Sequence, residues 1–475
     1  MAAISHQDLE IIDVYHLNKK VRKNRYQNKA KKILFNLFRE GPKRLLLKIK
    51  SYKFSEFMKK KEAFVVCKLK NAPLYLGGFQ YSKNQPFFYF VKNIHWDHLP
   101  ENSDIAPVKD INPFLGYLPD TIVREKPEES LKSFSFKPIV IRTDTKKKNR
   151  KDIDLYLIGC GSYVLTEILP VYRDFQFAAA VDFNYEILNS SYYRKFKFRT
   201  NDFDEIKRLT ENDRSKLGII SSYHSYHTRQ ALDFLKLPNS KVIIEKPPCV
   251  TKEDLVLLAA GFDEDRIFIA YHRRFSKWNR LVKDLILRNN SPVIINMIIQ
   301  ELDITKDHWY FTPNQGTRIT ANLCHWIDLA IYWIPKKPVG LTITKNHQLG
   351  IDGSIFNIYF KDGSIVNIVP SDWGDQTFGI REYIRIKGEY LDIKIADYTS
   401  MQIWERGKTK RLTSLKRSKG HVEMNQKYKK LILKNLPSPY KKQDLVYSTW
   451  IYISFVELFF SKNNTMELDF TPFFG

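Results

Sequence analysis

Short apolar runs separated by helical patterns recur in the middle of the chain. Residues 155–158, 177–181, 217–220 and 242–244 are almost entirely apolar, and residues 227–235 have a helical pattern. Uniformly apolar strands are typical of parallel sheets that are buried on both faces. The alternation of buried strands and helices therefore predicts an α/β domain with an open parallel sheet.

The last third of the chain has a different pattern, in which strands follow one another directly. Residues 293–299 are predicted as one strand, and residues 353–360 and 363–369 as a hairpin. Residues 382–386 and 391–395 give a further pair. Before the hairpin, apolar residues on one side of residues 319–331 predict a helix. This part is thus predicted to combine antiparallel strands with helices.

The first 150 residues are predicted to form a small basic α+β region. Apolar residues at helical spacing make residues 29–39 a basic amphipathic helix, and residues 63–69, 73–76 and 87–91 have strand-like patterns. A basic amphipathic helix can lie on an anionic membrane surface or bind nucleic acid. An ordinary helix with a solvated basic face is the favoured interpretation. Residues 143–151 are predicted to be a charged linker.

Composition indicates a folded protein with an excess of positive charge. The formal net charge is +25 over 475 residues, which favours anionic partners, although lysine is spread along the whole chain and can reflect composition alone. No apolar run approaches the roughly twenty residues that span a bilayer, and the first residues lack a secretory signal pattern. The four cysteines are scattered, so we expect reduced thiols, no metal site and a cytoplasmic location.

The first chemical signal is a glycine turn that follows the strand at residues 155–158. Gly159 permits a tight turn, and Gly161 lets the backbone of Ser162 and Tyr163 approach a pyrophosphate at a helix N-terminus. About twenty residues further on, the next strand ends in Asp182. A carboxylate in that place can bind the ribose 2′-hydroxyl of NAD and repel the 2′-phosphate of NADP. The alternative is that the aspartate only caps a strand end.

The second signal is a lysine at the end of a later strand of the same sheet. Glu245 and Lys246 follow the apolar residues 242–244 and precede a proline. Ligands of open parallel sheets bind at the carboxyl ends of the strands, so Lys246 is predicted to face the glycine turn. Desolvation can lower the pKa of such a lysine, which suits proton exchange with a hydroxyl. A solvated lysine at a strand end is the alternative interpretation.

Four segments, in this order, resemble the glucose–fructose oxidoreductase/inositol dehydrogenase (Gfo/Idh/MocA) family: Gly159-Cys160-Gly161, Ser222-x4-His227-x3-Ala231, Glu245-Lys246-Pro247 and Gly316-x8-His325-x2-Asp328. The resemblance covers roughly residues 152–475. It implies a Rossmann NAD-binding domain over residues 151–273. It also implies an α/β substrate domain over residues 274–475, whose large, open, mostly antiparallel sheet mediates dimers or tetramers. Residues 1–150 precede both as a region of unknown role.

The resemblance also implies roles for individual residues. Ser222 and His227 would lie beside the nicotinamide, with His227 at a helix start where it can also simply cap. His325 would face the substrate and share proton exchange with Lys246. Many relatives carry an aspartate four residues before this histidine, where this chain has Ala321. That departure either belongs to a subset resembling members from surface-polysaccharide biosynthesis or signals altered activity.

A further group of polar and aromatic residues is predicted to contact the substrate. Arg274 can bind a hydroxyl, carboxylate or phosphate, or can equally pair with a carboxylate at the domain junction. The remaining candidates are a neighbour of Ala321 and three aromatic residues that could supply flat surfaces for a sugar ring: Asn322, Trp309, Tyr310 and Trp326.

The favoured function is an NAD-dependent oxidoreductase acting on a sugar, cyclitol or nucleotide-sugar. Lys246 and His325 would exchange the proton of the reacting hydroxyl. A non-redox sugar enzyme that recycles its NAD, such as a glycosidase or epimerase, is an alternative. A second alternative is a binding protein that senses dinucleotide and contacts nucleic acid or membrane through its basic region, but a sensor needs neither proton-transfer group.

Overall fold

A computed structural model describes residues 9–17, 62–69, 74–82, 85–88, 122–125, 140–143, 151–182, 185–206, 213–304, 317–346, 350–374, 379–417 and 419–474. Within these ranges the strands form three sheets of five, seven and nine strands. The predicted helix at residues 29–39 lies outside the described residues, as do Trp309 and Tyr310.

The five-stranded sheet comes from the N-terminal region. Its strands are β1 (Leu9–Leu17), β2 (Glu62–Leu69), β3 (Leu74–Ser82), β4 (Gln85–Phe88) and β5 (Ile122–Glu125). The order is β4-β3-β2-β1-β5, and every neighbouring pair is antiparallel. The β-rich character predicted for this region is therefore present.

The seven-stranded sheet has the topology of a Rossmann domain. Its strands are β6 (Val140–Arg142), β7 (Lys151–Ile158), β8 (Phe175–Val181), β9 (Phe198–Thr200), β10 (Ser215–Ile220), β11 (Ser240–Ile244) and β12 (Ile267–Ile269). The order is β12-β11-β10-β7-β8-β9-β6, with all strands parallel except β6. The chain reverses its direction of progress between β7 and β10, the point where ligands bind in such sheets.

The strand β6 precedes the predicted start of this domain at residue 151. It pairs with the edge strand β9, so the sheet extends further towards the N-terminus than the sequence pattern suggested. Around the sheet lie a π-helical turn (Val164–Ile168), α1 (Tyr185–Asn189), α2 (His227–Phe234) and α3 (Lys252–Ala260). The apolar runs that predicted β7, β10 and β11 are buried in the core.

The nine-stranded sheet lies in the C-terminal part and is mostly antiparallel. Its strands are β13 (Ile294–Gln300), β14 (Pro338–Asn346), β15 (Gly350–Phe360), β16 (Ile365–Ser371), β17 (Arg381–Lys387), β18 (Leu391–Ala396), β19 (Ser400–Glu405), β20 (Lys408–Thr413) and β21 (Thr465–Glu467). Their order is β20-β19-β18-β17-β13-β16-β15-β14-β21, and β13 with β16 is the parallel pair. The predicted α/β fold with a large open sheet is thus confirmed.

Among the described residues, helices cover one face of this sheet and leave the other open. The helical segments of this part are α4 (Lys277–Asn289), a π-helical turn (Ile319–Leu323), α5 (Cys324–Trp333), α6 (His421–Leu433), α7 (Lys442–Phe460) and α8 (Thr471–Phe474). Of these, α6 packs against the Rossmann core instead of the sheet. The inward residues Ile295, Met297 and Ile299 of β13 pack into the core with α5 and α7. On the open face Ile298 is 60% exposed. In the described part of the chain, no helix combines the length and apolarity that a bilayer crossing demands.

Candidate active site

The glycine turn after β7 is shaped by close contact with the end of β10. Gly159 has a φ of +89°, and a Cβ atom there would lie 2.4 Å from the Ser221 carbonyl carbon. The Gly159 amide donates to Val181 O at 2.8 Å, and the Ser221 hydroxyl donates to Gly159 O at 2.9 Å. Gly161 differs, because it is exposed and a Cβ there would meet no atom within 4 Å. Gly159 therefore serves packing, whereas Gly161 borders open space that a ligand can occupy.

Asp182 lies beside this turn, at the end of β8. Its Oδ2 accepts a hydrogen bond from the Cys160 amide at 2.7 Å, and the residue is partly exposed. The carboxylate therefore lies directly after β8 and is in contact with the glycine turn that follows β7. Gly161, Ser162 and Tyr163 begin the helical segment that continues into the π-helical turn, and Ser162 and Tyr163 are partly exposed.

His227 connects the loop after β10 with the loop after β11. One ring nitrogen lies 3.0 Å from Ser222 O and the other lies 2.8 Å from Pro247 O. Burial lowers the pKa of His227 to about 4, against the effect of these backbone contacts. A neutral ring has one N–H and donates to one of these two carbonyl oxygens, while the buried ring lies between the loops that carry Ser222 and Lys246. The Ser222 hydroxyl itself donates to Gln230 Oε1 at 2.5 Å.

Lys246 extends from the end of β11 to the helix that carries His325. Its Nζ donates to Ala321 O at 2.8 Å, and the residue is partly exposed. Ala321 belongs to the π-helical turn that continues directly into α5, and a π-helical turn within a helix often marks a functional site. Ala321 therefore binds the lysine through its backbone carbonyl oxygen, although its side chain contributes no ionisable group.

His325 lies one helical turn beyond Ala321 and is partly exposed. Its Nδ1 atom is buried and has no hydrogen-bond partner among the described residues. Burial and the positive charges of Arg273 and Lys246 hold the pKa of His325 well below its ordinary value. The imidazole is therefore neutral near pH 7 and can accept a hydrogen bond on one ring nitrogen. The structure thus brings Lys246 and His325 together.

Two further histidines, His272 and His421, adjoin His325. His272 lies 4.7 Å from His325 between ring centroids, and it stacks on His421 at 3.5 Å with an interplanar angle of 22°. His272 Nδ1 is 2.7 Å from Lys419 O, and Arg273 Nη1 is 3.3 Å from His272 Nε2. Both histidines lie outside the four segments that carry the family resemblance.

Tyr163 links the glycine turn to this histidine group. Its hydroxyl lies 3.1 Å from His421 Nδ1, which is 258 residues away in the sequence. It also hydrogen-bonds the buried carboxyl of Glu245. Burial raises the pKa of Glu245 to about 7, opposed by Lys246 and by this hydrogen bond. A helix of the C-terminal part therefore completes the site on the Rossmann side.

A buried cluster of charged residues packs against the histidines through Arg273. Glu382 accepts two hydrogen bonds from Arg273, at 3.1 and 2.9 Å, and pairs with Lys419 at 2.7 Å. Burial alone would raise the pKa of Glu382, but Arg273 and Lys419 outweigh it and hold the pKa well below its ordinary value. The Trp326 indole N–H donates to the same carboxylate at 2.9 Å.

The prediction that Trp326 offers its ring to a sugar is not supported by this placement. Its side chain is 1% exposed and lies under the Arg273 guanidinium, 4.4 Å from the ring centroid. Tryptophan N–H groups generally find a partner when buried, and Glu382 provides one. Trp326 is therefore a core residue that positions the cluster of charged residues.

Arg274 adopts the second of its two predicted roles. Its guanidinium donates to both oxygens of Asp328, at 2.8 and 2.7 Å, and to Asp444 at 2.6 Å. Tyr440 also donates to Asp328, at 2.8 Å. Since Arg274 and Asp328 are buried, these groups join the end of the Rossmann domain to α5 and α7, and a substrate contact by Arg274 is not supported.

Asn322 remains at the site and has a carboxylate as its partner. Its Nδ2 donates to Glu301 Oε2 at 3.2 Å, and the residue is partly exposed. Glu301, which directly follows β13, is 1% exposed. Sequence reasoning did not single out Glu301, because no local pattern shows which residue after a strand turns towards a helix.

No protein-family model matches the chain. The chain is 25% identical over 151 residues to YteT of Bacillus subtilis, a candidate oxidoreductase. This match covers 30% of the chain and 34% of the relative, so the chain spans about a third of the length of the curated relative it matches.

Several solved structures are similar to the chain over a much larger part of its length. An aldose-aldose oxidoreductase from Caulobacter crescentus in complex with glycerol superposes with a TM-score of 0.55, at 16% identity, over 67% of this chain and all of its own. The myo-inositol dehydrogenase of Lactobacillus casei in complex with NAD(H) and myo-inositol has a TM-score of 0.53, at 14% identity, over 67% of this chain and 97% of its own. The GenD2 protein of gentamicin A biosynthesis, in complex with NAD, has a TM-score of 0.54 at 14% identity, over 69% of this chain and 99% of its own. At such identities the likeness establishes the fold.

Proposed function

We propose that this chain is an NAD-dependent oxidoreductase of the Gfo/Idh/MocA family. Its substrate would be a sugar, cyclitol or nucleotide-sugar, oxidised at a hydroxyl or reduced at a carbonyl. The observation that carries the proposal is the meeting of Lys246 and the neutral His325 at one site, next to the glycine turn. The folds shared with NAD-bound and sugar- or cyclitol-converting proteins support it.

The residues at the glycine turn fit a dinucleotide. The open space at Gly161 admits a phosphate close to the backbone, and a helical segment begins there. Asp182 offers a carboxylate for a ribose hydroxyl, which favours NAD over NADP. Ser222, Glu245 and His227 would line the nicotinamide end. NAD, when bound, supplies the hydride acceptor or donor.

The chain itself would hold the substrate hydroxyl and move its proton. His325 has a neutral ring that can accept a hydrogen bond from that hydroxyl, and its share in the proton exchange is part of the proposal. Lys246 reaches the same site from the opposite domain, and Asn322 borders it. The buried His272 and the partly exposed His421 would exclude water from one side. Trp309 and Tyr310 stay candidates for substrate contact from sequence alone.

The test is dinucleotide binding and turnover in matched variants. Wild-type protein should quench or enhance NADH fluorescence and produce NADH with at least one member of a panel of sugars, cyclitols and nucleotide-sugars. Lys246→Met and His325→Asn should keep NADH binding but lower kcat about 100-fold or more, the usual contribution of a proton-transfer group. Lys241→Met is the matched control, because Lys241 lies on the same strand and its Nζ donates to Asp265 O.

Other outcomes would favour the alternatives. Product formation without net NADH would indicate a sugar enzyme that recycles its cofactor. NADH binding without turnover on any substrate would indicate a sensor. Absence of NADH binding would refute the proposal.

We further propose that the open face of the nine-stranded sheet forms a dimer or tetramer. Ile294, Ile298 and Tyr383 are 49%, 60% and 42% exposed there, and Ile298 pairs directly with Tyr383 across β13 and β17. Exposed apolar residues grouped on a sheet face are typical of association surfaces. Light scattering should show an oligomer that Ile298→Lys dissociates.

The free, buried thiols of Cys160, Cys249 and Cys324 support a location in the cytoplasm.

A further inference from the structure

Glu301 is a buried carboxyl group at the end of β13. It is 1% exposed, and its backbone amide donates to Ser371 O at 2.7 Å, which continues the pairing of β13 with β16. A carboxyl group loses its hydration when it is buried, so its retention requires compensating contacts. The position of Glu301 is therefore set by the sheet, and its side chain points towards the helix that carries His325.

The contacts of Glu301 lead to Lys246. Glu301 Oε2 accepts from Asn322 Nδ2 at 3.2 Å, and the preceding residue, Ala321, accepts the Lys246 ammonium on its carbonyl oxygen at 2.8 Å. Burial raises the pKa of Glu301, while the positive charges of Arg318, Arg273 and Lys246 oppose that effect. Lys246 and Glu301 thus interact electrostatically although they come from different domains.

We propose that Glu301 is a positioning residue that acts on the site through Lys246. When a substrate hydroxyl is oxidised, the C–H hydride would pass to bound NAD, while the O–H bond breaks and a neutral Lys246 amine forms a new N–H bond, which makes an ammonium ion. A carboxylate nearby stabilises that ammonium. The helix position Ala321 offers no such group, so the negative charge comes from β13 instead. This inference rests on the proposed function, in which Lys246 moves the proton.

The charge state of Lys246 can be measured without substrate or cofactor. Trace labelling of the full chain with acetic anhydride, followed by mass spectrometry of the peptide containing Lys246, reports the fraction of neutral amine. Glu301→Gln should raise the labelling rate of Lys246 about tenfold at a pH where the amine is mostly protonated, because an opposite charge commonly shifts a pKa by one or more units. Labelling of Lys241 in the same sample provides the internal reference.

Two further variants make the result decisive. Asp303→Asn removes the same charge from an exposed residue two positions away, and water should screen it, so Lys246 labelling should be unchanged. Glu301→Asp keeps the carboxylate and should label slowly, as the wild type does. Equal labelling of Lys246 in Glu301→Gln and wild type would overturn the inference, as would fast labelling in Glu301→Asp.

The labelling experiment also separates this inference from the proposed function. A failure of NADH binding would refute the oxidoreductase proposal while the Lys246 labelling rates still report on Glu301. With an active protein, Glu301→Gln should lower kcat and leave the NADH dissociation constant unchanged, whereas a purely structural role would lower thermal stability without changing the labelling ratio of Lys246 to Lys241.

Discussion

The two glycines of the turn after β7 should respond in opposite ways to the addition of one methyl group. In Gly161→Ala the new Cβ meets no atom within 4 Å and the backbone is not left-handed. The free energy of unfolding should therefore stay the same or rise by up to about 1 kcal/mol, since alanine restricts the unfolded chain. The methyl would nevertheless enter the space proposed for the pyrophosphate.

In Gly159→Ala the methyl has no room. Its Cβ would lie 2.4 Å from Ser221 backbone atoms, and the φ of +89° is strained for any residue with a side chain. Strain of this kind costs about 1–3 kcal/mol, and overpacking adds about 1–3 kcal/mol. We expect a loss of at least about 2 kcal/mol in the free energy of unfolding.

Urea unfolding and NADH fluorescence titration on the same preparations measure both effects. Gly161→Ala should be folded and bind NADH at least about tenfold more weakly, a loss of about 1.4 kcal/mol. Gly159→Ala should be the less stable protein. Wild-type NADH affinity in folded Gly161→Ala would show that the turn does not hold the pyrophosphate, and wild-type stability in Gly159→Ala would contradict the close approach to Ser221.

Three further predictions concern charge. His227 has a folded-state pKa of about 4, below the 6.5 of an unperturbed histidine, so the unfolded chain binds more protons than the folded chain between these two pH values. The contribution of His227 to the free energy of unfolding should therefore be fully present above about pH 6.5 and should fall by about 3 kcal/mol towards pH 4. Urea unfolding at several pH values measures this change. Arg274→Met leaves the Asp328 carboxylate buried without its ion pair, and should lower the free energy of unfolding by about 3–5 kcal/mol in urea. Asp182→Ala should weaken NADH binding and affect NADPH binding less, as measured by fluorescence titration.

Each of these has a contrary outcome. A His227→Gln variant with the same acid sensitivity as the wild type would assign the pH dependence to other groups. A stable Arg274→Met variant with a changed KM would restore the substrate role for Arg274. Equal losses for NADH and NADPH in Asp182→Ala would contradict the ribose contact and leave the aspartate with a structural role, such as its hydrogen bond with the Cys160 amide.

Local sequence patterns were sufficient to predict the main strands and the glycine turn of the Rossmann domain. Strands buried on both faces must be apolar throughout, so β7, β8, β10 and β11 stood out as short runs. Glycine at residue 159 was recognisable because only a residue without a side chain fits a turn that touches the next strand. The end of β11 located Lys246, since parallel strands present their carboxyl ends on one edge.

Side-chain direction and long-range partners were beyond such patterns. The ring of Trp326 turns inward to Glu382, 56 residues away, and Arg274 finds Asp444 at a separation of 170 residues. An aromatic or a cation has the same local sequence pattern whether it contacts a ligand or a buried carboxylate. The choice depends on which acceptor the folded chain brings near.

The sequence by itself determined where the buried strands of the Rossmann sheet, the glycine turn and Lys246 lie, because backbone geometry and burial restrict residues locally, and the family resemblance added His325. The tertiary structure decided that His272 and His421 stack beside His325 and that Glu301 approaches the helix of Asn322. These contacts join separate elements, and the energy that selects them comes from desolvation and charge pairing in the assembled core, which no single segment contains.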